Sequence, residues 1–150
     1  MFIIKNNYYL YIENLRDIDI ETLKITRKFN IILRFPKKNE IDEIRELLSE
    51  EVAEAFDAVV DQRVSQGLTI EAEFIGIREM KLVEATYSSN TKTAEISVSF
   101  VGEMTSVVKN SSGEIVEGDS KQIKRQKDTW MFSKDIKSSN PNWLLVATGE

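Results

Sequence analysis

The first part of the chain carries apolar and β-branched residues at the spacing of a helix. Between residues 17 and 33 they recur at alternating steps of four and three, at Ile18, Thr22, Ile25, Phe29 and Ile32. Asp17 and Asp19 lie where a helix start favours acidic side chains. The β-branched residues weaken this prediction because they lose side-chain freedom in a helix, and Pro36 marks its end. The pattern favours a helix over 18–33 within a divergent N-terminal segment, 1–34.

Two further amphipathic stretches follow this segment. The first is short, with apolar positions at Ile41, Ile44, Leu47 and Leu48. Ser49 can cap the second, whose first turn contains Glu50 and Glu51, and Gly67 provides its C-terminal exit. Its predicted buried stripe consists of Val52, Phe56, Val59, Val60 and Val64. A helix packed on a sheet explains this stripe without a ligand.

After Gly67 the hydrophobic period changes to two, which is typical of strands. A slip of the alternation at Gly76 predicts a bulge in one long strand that ends near Tyr87. A second strand covers about 94–108, a short hairpin return contains Ile115 and Val116, and the last strands cover about 123–136 and 143–148. Helices followed by an antiparallel sheet of about four strands predict an α+β domain.

The composition excludes several kinds of chemistry. The chain of 150 residues contains neither cysteine nor histidine, so thiolate sites, disulfides and histidine-based triads are excluded. No stretch is long and apolar enough for a membrane-spanning helix, and the N-terminus does not resemble a secretory signal. We therefore expect a cytoplasmic protein. No cofactor is predicted, because the six glycines form no phosphate-binding motif.

The charge distribution is uneven along the chain. Residues 1–39 contain eight Lys or Arg and four Asp or Glu, whereas the remainder is acidic. The acidic part should repel nucleic acid, and the basic part could contact anionic lipid or an acidic partner. A solvated terminus is the simpler alternative. The candidate membrane-surface residues are Lys24, Arg27, Lys28, Arg34, Lys37 and Lys38.

The candidates for acid–base or metal chemistry are few. The best candidates are Asp128 and Tyr87, the latter at the end of another strand. Asp128 is in phase with two aromatic residues and could face the interior, but it could equally mark the solvated end of its strand or pair with Arg125 or Lys127. Asp57 and Asp61 lie one helical turn apart, which fits a solvated charged face better than a metal site. We therefore predict no catalytic and no metal-binding residue.

The strongest motif surrounds the only two tryptophans. A strand 128–132, with sequence DTWMF, is followed after a loop by NPN at 140–142 and WLLVAT at 143–148. Together with EID at 40–42, LLSEEV at 47–52, VEA at 83–85 and GEIVEGD at 113–119, this ordered set resembles the C-terminal domain of the mitochondrial inner membrane translocase subunit 44, in its bacterial-type form. The resemblance covers 35–150.

The resemblance implies a cone-shaped α+β fold of the nuclear-transport-factor-two-like superfamily, with N-terminal helices on a curved antiparallel sheet. It further implies a non-enzymatic scaffold, peripheral at the inner membrane (on the matrix side if mitochondrial), that is linked to protein translocation or membrane-protein assembly. Its partners would be proteins of a membrane complex and anionic lipid such as cardiolipin. The candidate apolar concavity contains Phe56, Trp130, Phe132 and Trp143. The alternatives are a small-ligand binder or acid–base enzyme of the same fold, and a degenerate relative without a retained function.

Overall fold

The structure, a computed structural model, describes residues 38–140 and 142–149. Two helices precede four strands. Helix α1 is Lys38–Ile44 and helix α2 is Glu50–Ser65, and a 3₁₀ turn, Arg45–Leu47, lies between them. The strands are β1 (Thr69–Ser88), β2 (Thr93–Lys109), β3 (Ile115–Asp135) and β4 (Leu144–Gly149). This is the predicted α+β architecture; the helix predicted over 18–33 lies outside the described residues.

Helix α2 begins and ends where its sequence predicts. The Ser49 side chain accepts a hydrogen bond from the Val52 amide at 3.3 Å, which satisfies a backbone donor of the first turn. Gly67 has φ of +65°, and its amide donates to the Val64 carbonyl while the Leu68 amide donates to the Arg63 carbonyl. These bonds close the C-terminus in the left-handed conformation that glycine adopts readily.

The buried stripe of α2 is narrower than predicted. Val52 and Val60 are buried and Phe56 is partly buried, but Val59 and Val64 are 50% and 71% exposed. The prediction was wrong at these two positions. Val59 is turned about 100° around the helix axis from Val60, and Val64 lies in the last turn, next to the end of the helix.

The sheet has the order β1–β2–β3–β4, and every neighbouring pair is antiparallel. Strand β1 contains the predicted irregularity at Gly76 and two more, between Ile77 and Glu79 and between Leu82 and Glu84. Strand β3 is longer than predicted, because the short return at 115–116 and the strand at 123–136 are one element. Between them residues 120–123 bulge out opposite Thr105.

One face of the sheet, which we call the inner face, packs against the helices. Alternate residues of β2 are buried there, including Ile96, Val98 and Phe100. The Phe100 and Trp130 rings meet edge to face with centroids 4.7 Å apart, an arrangement that aromatic quadrupoles favour. The rest of this core consists of Ile41, Ile44, Leu48, Val52, Ala53, Val60, Ala94, Met104, Phe132, Trp143 and Leu145.

A backbone contact attaches the helices to β4. The Ser49 amide donates to the Leu145 carbonyl at 2.9 Å, and Leu48 forms an isolated parallel bridge with Leu145. The residue that caps α2 is therefore also fixed to the sheet.

The opposite, outer face carries ion pairs between strands. Glu103 on β2 accepts hydrogen bonds from Arg125 on β3 at 3.0 Å and from Arg78 on β1 at 3.2 Å. The hydrogen bond from Arg125, with a smaller contribution from Arg78, holds the pKa of Glu103 below its usual value. Glu103 thus links three strands through one carboxylate.

Candidate partner-binding surface

The four residues of the predicted apolar concavity lie together on the inner side of the molecule. Trp130, Phe132 and Trp143 are buried in the core, with 2% to 6% of their surface exposed. Phe56 of α2 is partly buried and packs against the same core. Their side chains fill this part of the concavity, which accounts for their burial without a ligand. A role for them in partner binding stays a prediction.

Of the predicted membrane-surface residues, only Lys38 is described. It is exposed at the first position of α1. Lys24, Arg27, Lys28, Arg34 and Lys37 lie outside the described residues.

The acidic candidates have structural partners. Asp128 is 7% exposed on the inner face, and its Oδ2 accepts a hydrogen bond of 2.9 Å from the side-chain Nε2 of Gln126. Asp57 forms an ion pair at 3.0 Å with Arg45, which ties α2 to the preceding 3₁₀ turn. Within 38–140 and 142–149 no three carboxylates approach closely enough to hold a metal ion together.

A cleft of about 750 Å³ opens at the end of the sheet where β1 begins, β2 ends and β3 begins. We call this the distal end of the sheet. Its lining residues are Ile70, Met104, Ser106, Val108, Glu117, Lys124, Arg125, Gln126 and Lys127. The register places Ile70, Val108 and Glu117 side by side across β1, β2 and β3. Asp128 is not among the described residues that line this cleft, although Gln126 connects the two.

This cleft was not predicted from the sequence. Its signal is the run KQIKRQK at 121–127, which has four cationic residues and no acidic one in a chain of net charge −5. The sequence predicts only a strand for this run, because period-two patterning shows which residues alternate but not which part of a strand is covered by other elements. In the structure, residues 115–125 of β3 are exposed throughout, whereas Asp128, Trp130 and Phe132 are buried.

The cations of this run differ in their contacts. Arg125 is held by Glu103, as described above. Among the described residues, Lys121, Lys124 and Lys127 have no carboxylate within ion-pair distance. The same distal part of the β2–β3 hairpin exposes Ile115, Val116 and Ile123, each by 55% to 57%. We call Ile115, Val116, Lys121, Ile123 and Lys124 the distal patch.

A glycine fixes the backbone beside the cleft. Gly118 has φ of +84°, and a Cβ atom added to it would lie 2.1 Å from the Ser106 carbonyl oxygen. Only a residue without a side chain allows β3 to approach β2 this closely before the bulge at 120–123.

The described helices include none with the length and apolarity to cross a bilayer. Two helices on an open antiparallel sheet, with an exposed cationic and apolar hairpin, define a small α+β module with a candidate binding surface. A family model for the Tim44-like domain matches residues 16–150, and the chain belongs to that family.

One solved structure with the same fold is the intermembrane space region of the chloroplast protein ARC6. It is 13% identical, with a TM-score of 0.52, over 84% of this chain and 90% of that one. This similarity concerns the fold alone. No curated protein matches the chain.

Proposed function

We propose that this domain is a non-enzymatic binding module that holds protein partners at a membrane surface. The observation that carries the proposal is the distal patch, in which exposed isoleucine and valine side chains accompany lysines that no described carboxylate neutralises. Exposed apolar groups beside cations suit contact with a partner or with anionic headgroups better than contact with water. Membership in the Tim44-like family supports a scaffold role in protein translocation or membrane-protein assembly.

The proposed location is the cytoplasmic side of an inner membrane, with the domain attached peripherally. Membership in the Tim44-like family supports a working position next to a membrane. Anionic lipid such as cardiolipin is the proposed lipid partner. It would bind through the candidate membrane-surface residues at the basic N-terminal end of the chain.

Flotation with vesicles tests the membrane contact. The full chain should float with phosphatidylcholine vesicles that contain cardiolipin and remain at the bottom with phosphatidylcholine alone. Lys24→Glu combined with Lys28→Glu should reduce flotation, whereas the charge-matched pair Lys134→Glu and Lys137→Glu should not. Equal flotation with both vesicle types, or equal loss in both double variants, would contradict the proposed lipid contact.

Photocrosslinking tests the protein contact. A photoreactive amino acid placed at Ile123 in the distal patch should form adducts with proteins of the membrane fraction in living cells. Val64 is more exposed than Ile123, yet lies outside the patch, and is therefore the matched control position. Adducts that are as abundant from Val64 as from Ile123 would refute the patch as the contact surface.

An acid–base enzyme or small-ligand binder of the same cone-shaped fold is the second candidate. The observation that favours it is the buried carboxylate of Asp128, whose hydrogen-bond donor Gln126 lines the cleft. A thermal-shift screen against a metabolite library distinguishes the two. A compound that raises the melting temperature of the wild type but not of Asp128→Asn would support this candidate over the scaffold.

A further inference from the structure

The cleft is lined by both apolar and polar side chains. Its apolar floor contains Ile70 and Val108, which are cross-strand partners and half-buried, and Met104, which lies four residues from Val108 on β2 and is 2% exposed. Ser106 and Gln126 add side-chain hydrogen-bonding groups within the same lining. A volume of about 750 Å³ falls in the range typical of binding sites.

The charge of the cleft favours an anionic occupant. Lys124 is opposite Met104 in the register and is exposed, with no carboxylate at ion-pair distance among the described residues. Arg125 and Lys127 border the cleft on the same strand, but the Arg125 guanidinium is paired with Glu103 on the outer face, so Lys124 is the cation on which the charge argument rests. Glu117 is the only acidic residue in the described lining and lies at the other end, opposite Val108. Lys124 and Glu117 therefore lie at opposite ends of the cleft.

We propose that this cleft binds an extended, acidic segment of a protein partner. The partner's apolar side chains would lie on Ile70 and Val108, and one of its carboxylates would pair with Lys124. This inference rests on the proposed scaffold function, since it names the chemistry of the partner that the scaffold holds.

A peptide fits the cleft better than an acyl chain does. The cleft is open to solvent and lies across the ends of β1, β2 and β3, so a single acyl chain within it would keep much of its methylene surface in water. An extended peptide alternates its side chains, and can therefore place apolar groups on the floor while its polar groups face Ser106, Gln126 and water.

A peptide library provides an unbiased probe. A phage-displayed library of random dodecapeptides is selected on the immobilised full chain, on Lys124→Glu and on Lys137→Glu, an exposed lysine outside the cleft. The wild type and Lys137→Glu should enrich peptides that combine Asp or Glu with Leu, Ile or Phe, and Lys124→Glu should not. A synthetic peptide of the selected sequence should bind Lys124→Glu about tenfold more weakly than the wild type in fluorescence anisotropy.

Three results would overturn the inference: no enrichment on the wild type, enrichment of basic or purely apolar peptides, or equal affinity of Lys124→Glu and Lys137→Glu. Binding of cardiolipin vesicles that depends on Lys124, without any peptide enrichment, would assign the cleft to lipid and would also overturn it. Lys124→Gln, which removes the charge without reversing it, should show an intermediate loss, and urea unfolding of each variant verifies that it is folded. Flotation, which probes Lys24 and Lys28 of the N-terminal segment, tests the membrane contact of the scaffold independently of this cleft.

Discussion

Replacement of Gly118 by alanine should destabilise the protein far more than the same change at Gly113. Both glycines have φ between +81° and +84°, so both variants incur the cost of a left-handed alanine, about 1–2 kcal/mol. At Gly113 an added Cβ meets nothing within 4 Å. At Gly118 it would lie 2.1 Å from the Ser106 carbonyl oxygen and 3.2 Å from Val107 Cα.

Relief of this overlap requires β3 to move from β2 by roughly 1 Å or more, because ordinary nonbonded contacts begin near 3.5 Å. Such a shift breaks one or two backbone hydrogen bonds of the pair Val107–Gly118, each contributing about 1 kcal/mol. We therefore expect Gly118→Ala to lose about 2–4 kcal/mol in total, a large share of the roughly 5–15 kcal/mol that stabilises a typical domain.

Urea unfolding followed by tryptophan fluorescence measures both variants, since both tryptophans are in the core. Gly76→Ala is a further control, because Gly76 has neither a positive φ nor an atom within 4 Å of its added Cβ. This variant should stay within about 1 kcal/mol of the wild type. Equal unfolding free energies of Gly118→Ala and Gly113→Ala would refute this reasoning. The positive φ alone would then explain the loss at Gly118, without the close approach of β2 and β3.

Three further predictions concern the helix cap, the core and the outer face. Ser49→Ala should lower the free energy of unfolding by about 1 kcal/mol, because the Val52 amide loses its acceptor; a loss below 0.3 kcal/mol would contradict a capping role. Trp130→Ala should cost about 3–5 kcal/mol through the cavity it leaves beside Phe100 in the core, measured by thermal and urea unfolding. The folded-state pKa of Glu103 is lowered, so its contribution to stability is present above the unfolded-state pKa and is lost as the pH falls through the folded-state value. Glu103→Gln should therefore be less stable than the wild type near neutral pH, and the two urea midpoints should converge in acid; a constant difference across that range would exclude the ion pairs as the cause.

The sequence predicted the fold where one physical signal was sufficient. The alternation of Ile96, Val98 and Phe100 determined which face of β2 is buried, and Ser49 and Gly67 determined the ends of α2. The sequence prediction failed where burial depends on how one element is placed against another. Val59 and Val64 continue an apolar stripe, yet no described element covers them, because a stripe does not reveal how far its helix lies along the sheet.

The candidate site was predicted less well than the fold. The sequence left the position of Asp128 open between the interior and a solvated or ion-paired site, and the structure places it at 7% exposure on the inner face, in phase with Trp130 and Phe132. The cleft was not predicted, because the sequence does not show that the two predicted pieces of β3 form one strand with a bulge at 120–123. The sequence does not show whether the lysines of the cleft are paired with carboxylates, and only the structure shows which carboxylates lie near them.

The irregular edge strand has a consequence for the behaviour of the protein at high concentration. Strand β1 is one edge of the described sheet, and its three bulges interrupt the regular spacing of backbone donors and acceptors along 20 residues. A neighbouring molecule can therefore match only short lengths of this edge, which disfavours the continuous intermolecular sheets from which fibrils grow. The glycine and the irregular register that shape β1 thus also protect a long, β-branched strand from self-association.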